Sequence, residues 1–125
     1  MKTYLVTPHL YRGALTQARR ISKRIAHATS KPNEMPKDAR YFLADDLMSG
    51  FGIDRDGTLI GVYSLIKGRG EVMVADAIKA GADKLDCFDG FLPEYYARFG
   101  FKETARYENW TAGEPDVVLM ALPSA

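Results

Sequence analysis

The chain has 125 residues, 46% apolar and 26% charged, which fits one soluble globular domain with a modest core spanning residues 1–125. One cysteine, Cys87, and two histidines, His9 and His27, exclude an internal disulfide and the usual structural zinc site, so no metal is expected. Formal net charge is +1 but uneven: residues 1–31 hold seven Lys/Arg and no Asp/Glu, and the remainder holds ten against sixteen.

No apolar run approaches the ~20 residues of a membrane helix, and no secretory signal pattern opens the chain, so a cytoplasmic protein is expected. Residues 2–8, KTYLVTP, are β-branched and apolar and read as a strand that stops at Pro8. Over 14–29, Leu15, Ala18, Ile21, Ile25 and Ala28 recur at spacings of three and four, and the opposite face carries Arg19, Arg20, Lys23 and Arg24. This predicts one amphipathic helix. Its basic face is a solvated surface or a phosphate-binding one. Only Tyr11 interleaves with the charges, so base readout, and with it nucleic acid, is disfavoured.

Residues 30–38, with two prolines, form a loop, and 39–49 fit a short helix or a strand equally. FGIDRDGTLIGVYSLI, 51–66, is a β-hairpin in which Asp56-Gly57 supplies the positive dihedrals of a tight turn. Residues 71–82 are a helix capped near Gly81, and 84–89 a strand. A helix over 92–100 has Pro93 in its first turn and ends at Gly100. Strands at 101–110 and 115–122 close the chain. Antiparallel hairpins combined with a strand-helix-strand crossover make the class α+β, or α/β by looser usage.

The junction SLIKGRGEVM joins the hairpin to the next helix. A glycine-bearing turn that leads into a helix N-terminus leaves backbone N–H groups open to an anion. Gly68 and Gly70 permit close approach, and Lys67 and Arg69 add positive charge. The bland alternative is a simple turn. In the helix 92–100, Leu92, Tyr95, Tyr96 and Phe99 form a stripe that reads equally as core.

Three segments resemble the GNAT superfamily of acetyl-CoA-dependent N-acetyltransferases. DRDGTLIGVYSLI is similar to its central hairpin, and KGRGEV to a reduced form of its pyrophosphate loop. EYYARFGFKETARY resembles its C-terminal helix-to-strand signature through Tyr95, Tyr96, Gly100, Phe101, Lys102, Glu103 and Arg106. The resemblance spans 51–107. It implies a GNAT-like mixed central sheet flanked by helices, with acetyl-CoA held at Leu65, Ile66, Lys67, Gly68, Arg69, Gly70 and Val72. It also implies that Tyr96 is the general acid toward the CoA thiolate, and that the acyl group passes to an amine acceptor. The compact layout looks like GNAT-like proteins encoded by bacteriophages.

The chain departs from that pattern in two places. Ile66 passes straight to Lys67, so one strand of the family, with its customary glutamate base, is expected to be missing. Glu71 and Val72 stand where a small residue is expected. A base would then come from Asp45, Asp46, Asp86 or Asp89, or from no residue at all. The competing expectation is a non-catalytic module that engages a protein partner such as a host factor, through exposed aromatics such as Trp110. A homodimer formed through a free sheet edge is a further expectation.

Overall fold

The computed structural model describes residues 2–123. They form two compact units, one ending at Ala82 and the other beginning at Asp83. The first unit is a four-stranded antiparallel sheet in the order β1-β2-β3-β4, comprising β1 (Thr3–Val6), β2 (Arg40–Ala44), β3 (Ser49–Ile53) and β4 (Leu59–Ser64). It carries helices α1 (Pro8–Ile21), α2 (Lys23–Ala28) and α3 (Arg69–Lys79). The second is a three-stranded antiparallel sheet in the order β5-β7-β6, with β5 (Lys84–Phe88), β6 (Lys102–Tyr107) and β7 (Val117–Ala121), and helix α4 (Phe91–Ala97). The α+β class holds.

The expected strand-helix-strand crossover takes a different form. Helix α3 leads from β4 in one sheet to β5 in the other, and every ladder among the described residues is antiparallel. Residues 39–49, which fitted helix or strand, supply β2. Arg40 to Ala44 pair with β1 on one side and β3 on the other, an arrangement that β-branching alone could not signal in RYFLA. No strand lies between β4 and the loop that follows it.

The amphipathic segment divides in two and begins earlier than its apolar spacing shows. Thr7 caps α1 by accepting a hydrogen bond from the Leu10 N–H, and Pro8 occupies the first turn, where it has no N–H to lose. Pro8 therefore starts a helix as well as ending a strand. Ser22 ends α1 and caps α2, its hydroxyl accepting from the Ile25 N–H at 3.2 Å. The β3–β4 hairpin also differs in its turn. Only Gly57 takes a positive φ (+91°), and the Gly57 N–H reaches the Asp54 carbonyl, so Asp56 is not in the left-handed region. Helix α3 ends in a Schellman motif: Gly81 has φ +112°, its N–H bonds Ile78, and the Ala82 N–H bonds Ala77.

The core of the first unit is organised by three tyrosines. Tyr11 stacks on Tyr41 with ring centroids 4.4 Å apart and meets Tyr63 edge-on at 6.2 Å. Leu15, Ala18, Ile25 and Leu43 surround them. Each hydroxyl donates to a backbone carbonyl: Tyr11 to Gly61, Tyr41 to Pro36 and Tyr63 to Leu47. These bonds satisfy the polar ends of otherwise buried rings. Strand β4 is bulged opposite Gly50–Gly52, and Gly61 sits in the bulge with φ +57°. A Cβ on Gly61 would run into the Tyr11 hydroxyl and the Met35 methyl.

Gly61→Ala should therefore cost at least about 2 kcal/mol of stability, from left-handed strain plus overpacking. Tyr11→Phe should cost about 1–3 kcal/mol by orphaning the Gly61 carbonyl. Made together in one chain, the two should cost less than their sum, because the phenylalanine removes the atom with which the new Cβ collides. Urea unfolding of the two single variants and the double variant checks this.

Candidate functional site

The junction after β4 is fixed by the hydroxyl of Ser64, the last residue of that strand. Its Oγ lies 3.0 Å from that of the buried Ser49, donates to the Ile66 carbonyl and accepts from the Ile66 N–H. The Leu65 N–H extends the strand by bonding the Met48 carbonyl at 2.8 Å. Ile66 to Arg69 then form a turn closed by the Arg69 N–H on the Ile66 carbonyl at 3.2 Å, with Gly68 at φ +83° and ψ −15°. That pair of angles belongs to the third position of a type II turn and favours glycine. Gly68 is also the N-cap of α3. No side chain caps the helix there, and a Cβ on Gly68 would meet nothing within 4 Å. The helix begins at Arg69, two residues ahead of the expected 71, so Arg69, Gly70 and Val72 lie in its first turn and Leu65 to Gly68 in the loop.

All seven residues expected to hold a cofactor therefore gather at one strand-to-helix junction in the first unit. Their charges are arranged differently from the expectation. Arg69 is directed away from the helix axis into an ion pair with Asp46, Nη1 to Oδ2 at 2.6 Å, its side chain only 16% exposed. Asp46 belongs to the β2–β3 turn and also accepts from the Met48 N–H. The bond from Arg69, then that from Met48, holds the Asp46 carboxyl below the usual carboxylate range. Lys67 is exposed, and the Arg24 guanidinium approaches the Ser64 carbonyl at 3.4 Å. Glu71 stands in the first turn of α3, where the helix dipole favours a carboxylate but a bound anion would not.

The β2–β3 turn was silent in the sequence. Leu47 takes a positive φ of +63°, uncommon for leucine, and the Tyr63 hydroxyl holds its carbonyl at 2.9 Å. Beside this turn, α1 and Leu65 border a groove of about 430 Å³. The adjacent Asp45-Asp46 and the small residues of α1 were its only traces in the sequence.

Tyr96 belongs to the second unit. It lies in α4, half-buried, its ring edge-on to Phe101 at 6.1 Å and to Tyr95 at 5.3 Å. Burial pushes its pKa well up, and the neighbouring Cys87 and Tyr95 push it further. The phenol thus stays protonated across the working pH range, and is a weaker acid than an ordinary tyrosine. The Cys87 thiol is itself pushed up to about 11, by burial first and then by Asp86 and Asp89, so it is no nucleophile.

The candidate bases fare unequally. Arg106 binds Asp89 at 2.6 Å and Glu103 at 2.8 Å, and holds both carboxyls below their usual range. Asp46 is similarly held, while Asp45 and Asp86 are exposed. Among the described residues no group of His, Cys, Asp and Glu could hold a metal ion, and no helix is long and apolar enough to cross a membrane.

No family model matches the sequence, and no curated protein matches it. Solved structures do. The chain is similar to an acyl-CoA N-acyltransferase from Pseudomonas aeruginosa at TM-score 0.69 and 16% identity, over 98% of this chain and 100% of that one. The fold is that of the N-acyltransferases. A second structure, described as a putative N-acetyltransferase from Lactobacillus plantarum, aligns at TM-score 0.60 and 14% identity, over 97% and 98% of the two chains.

Within this N-acyltransferase fold, the basic N-terminal segment is partly explained by its own structure. Nη1 of Arg19 donates to the carbonyls of Ala26, Thr29 and Ser30 and to the Thr29 hydroxyl, closing the end of α2. Arg19 is therefore a capping residue, and the cationic face is smaller than the sequence count implies.

Carboxyl titration by NMR should find Asp46 below the usual aspartate range, and Arg69→Gln should return it upward. Because the folded pKa is depressed, the stabilisation is complete above the unfolded value and is lost as pH falls through the folded one.

Proposed function

We propose that the protein transfers an acetyl group from acetyl-CoA to an amine. The observation that carries this reading is the α3 N-terminus. In an N-acyltransferase fold it follows a strand, opens on a left-handed glycine and has no side-chain cap. The diphosphate of acetyl-CoA would lie on the backbone N–H groups of Gly70 to Val72, with Lys67 beside it and Leu65 and Ile66 along the chain of the cosubstrate. The thioester supplies an acyl group with a good leaving thiolate. As the amine nitrogen bonds to the carbonyl carbon and the C–S bond breaks, Tyr96 donates its proton to the sulfur. The amine proton passes to water, since both carboxylates with strong partners, Asp46 and Asp89, are depressed in basicity. This chemistry suits a cytoplasmic location, where acyl-CoA is made.

Two observations favour the rival reading, a non-catalytic module that engages a protein partner. Arg69 is already neutralised by Asp46, and Glu71 opposes an anion at the same helix end. Calorimetry separates the two. Acetyl-CoA should bind in the micromolar range, and Gly70→Asp, which suits a helix first turn but repels phosphate, should abolish the heat. A flat titration at millimolar ligand would end the transferase reading in favour of the partner-binding one.

With an accepting amine in hand, Tyr96→Phe should lower kcat by roughly a hundredfold or more while leaving the KM for acetyl-CoA nearly unchanged. The wild-type rate should show no fall from phenol ionisation up to about pH 10, the ordinary tyrosine value, because the folded pKa lies above it. A KM effect equal to the kcat effect would assign Tyr96 to packing instead.

A further inference from the structure

From the groove beside the candidate loop we infer that the acceptor is a monoamine with an apolar body, a deduction that rests on the transferase reading and names its substrate class. The groove, about 430 Å³, is walled by Leu10, Gly13 and Ile21 of α1, Leu47 and Met48 of the β2–β3 turn, and Leu65 at the start of the loop. Four of these apolar side chains are substantially exposed: Leu10 45%, Ile21 71%, Leu47 44% and Met48 42%. An apolar ligand would cover them.

Gly13 gives a second and independent indication. It lies in the interior of α1, where glycine weakens a helix relative to alanine, and it has no left-handed φ to justify it. A Cβ there would meet nothing within 4 Å. Packing within the protein therefore does not call for glycine at this position. Its effect is to keep bulk off the groove wall.

Charge selects among amines. Among the described residues the only carboxylate lining the groove is Asp46, and its two oxygens already accept from Arg69 and the Met48 N–H. Helices α1 and α2 carry no acidic residue, and the polar residues that α1 adds to the groove wall are His9 and Gln17. One ammonium group can share Asp46. A second or third positive charge finds no further carboxylate on the apolar wall, so polyamines are disfavoured and an aryl- or alkyl-monoamine is favoured.

The test is titration of 15N-labelled protein with 2-phenylethylamine and, separately, with spermidine, in the absence of any thioester. Phenylethylamine should shift the amides of Gly13, Gln17, Leu47 and Met48, and spermidine should leave them in place. Gly13→Leu, which fills the groove from an open helix position, should weaken phenylethylamine at least tenfold. Ile21→Lys, at a side chain already in solvent, should do the same should the first variant prove misfolded. Equal or tighter binding of spermidine, shifts centred outside the groove, or a groove filled by decanoyl-CoA but not by the amine would overturn the inference. A protein that binds the amine here but ignores acetyl-CoA would instead sink the transferase reading and leave the amine site standing.

Discussion

The bond from the Tyr11 hydroxyl to the Gly61 carbonyl fixes the rest of the first unit. It requires a left-handed, side-chain-free residue in the middle of β4, and that residue makes the bulge. In an unbroken strand, residues 60, 62 and 64 would share the face toward α1. With one residue inserted, that face carries Ile60, Tyr63 and Leu65. Tyr63 is thereby placed to hold the Leu47 carbonyl, which orders the β2–β3 turn. The ordered turn presents Asp46 to Arg69 and Leu47 to the groove. The same shift turns Leu65 inward, so the loop starts from a packed residue. One contact between a helix and a strand thus propagates to both the candidate loop and the groove.

The ionisable groups divide in a consistent way. Two carboxylates that might have served as bases are each tied to an arginine and made less basic, while the phenol proposed as acid is made more reluctant to ionise. An acid without a matched base suits a reaction in which the nucleophile arrives neutral or loses its proton to water. An amine held as the ammonium beside Asp46 would shed its proton to water before it attacks.

Much of this was legible in the residues. Gly68 and Gly100 carry left-handed backbone that glycine meets easily, and both appear where the sequence put a turn, although α4 itself ends at Ala97 and only a turn continues to the expected stop at Gly100. Periodicity located the buried face at Leu15, Ala18 and Ile25 but wrongly included Ile21 and Ala28, which are exposed, and it missed the start of α1, because Thr7 and Pro8 act through a cap and a ring rather than through hydrophobicity. Strand β2 stayed open between helix and strand because RYFLA gains its strand character from neighbours on both sides. The Asp46–Arg69 pair joins residues 23 apart, and no spacing rule links a turn to a helix at that distance. The break at Ser22 was hidden by apolar residues that keep helical spacing across it. Only the hydroxyl, which serves two helix ends, marks the boundary.

The Arg69–Asp46 pair looks at first like an obstacle to an anion at α3, and magnitudes decide against that view. Arg69 is largely covered, but Asp46 remains 36% exposed, so the pair lies toward the solvent-screened limit, where ion pairs contribute roughly 0–1 kcal/mol. Hydrogen bonds from charged groups contribute about 1.5–3 kcal/mol each. A diphosphate that drew Arg69 away would replace one charge-assisted hydrogen bond with another of the same kind, so the exchange costs little. The freed Asp46 carboxylate would then stand at the groove without its counter-charge, and its affinity for a single ammonium would rise. Occupancy of the loop and occupancy of the groove would favour each other through a guanidinium that moves between two anions, and linkage makes that preference reciprocal.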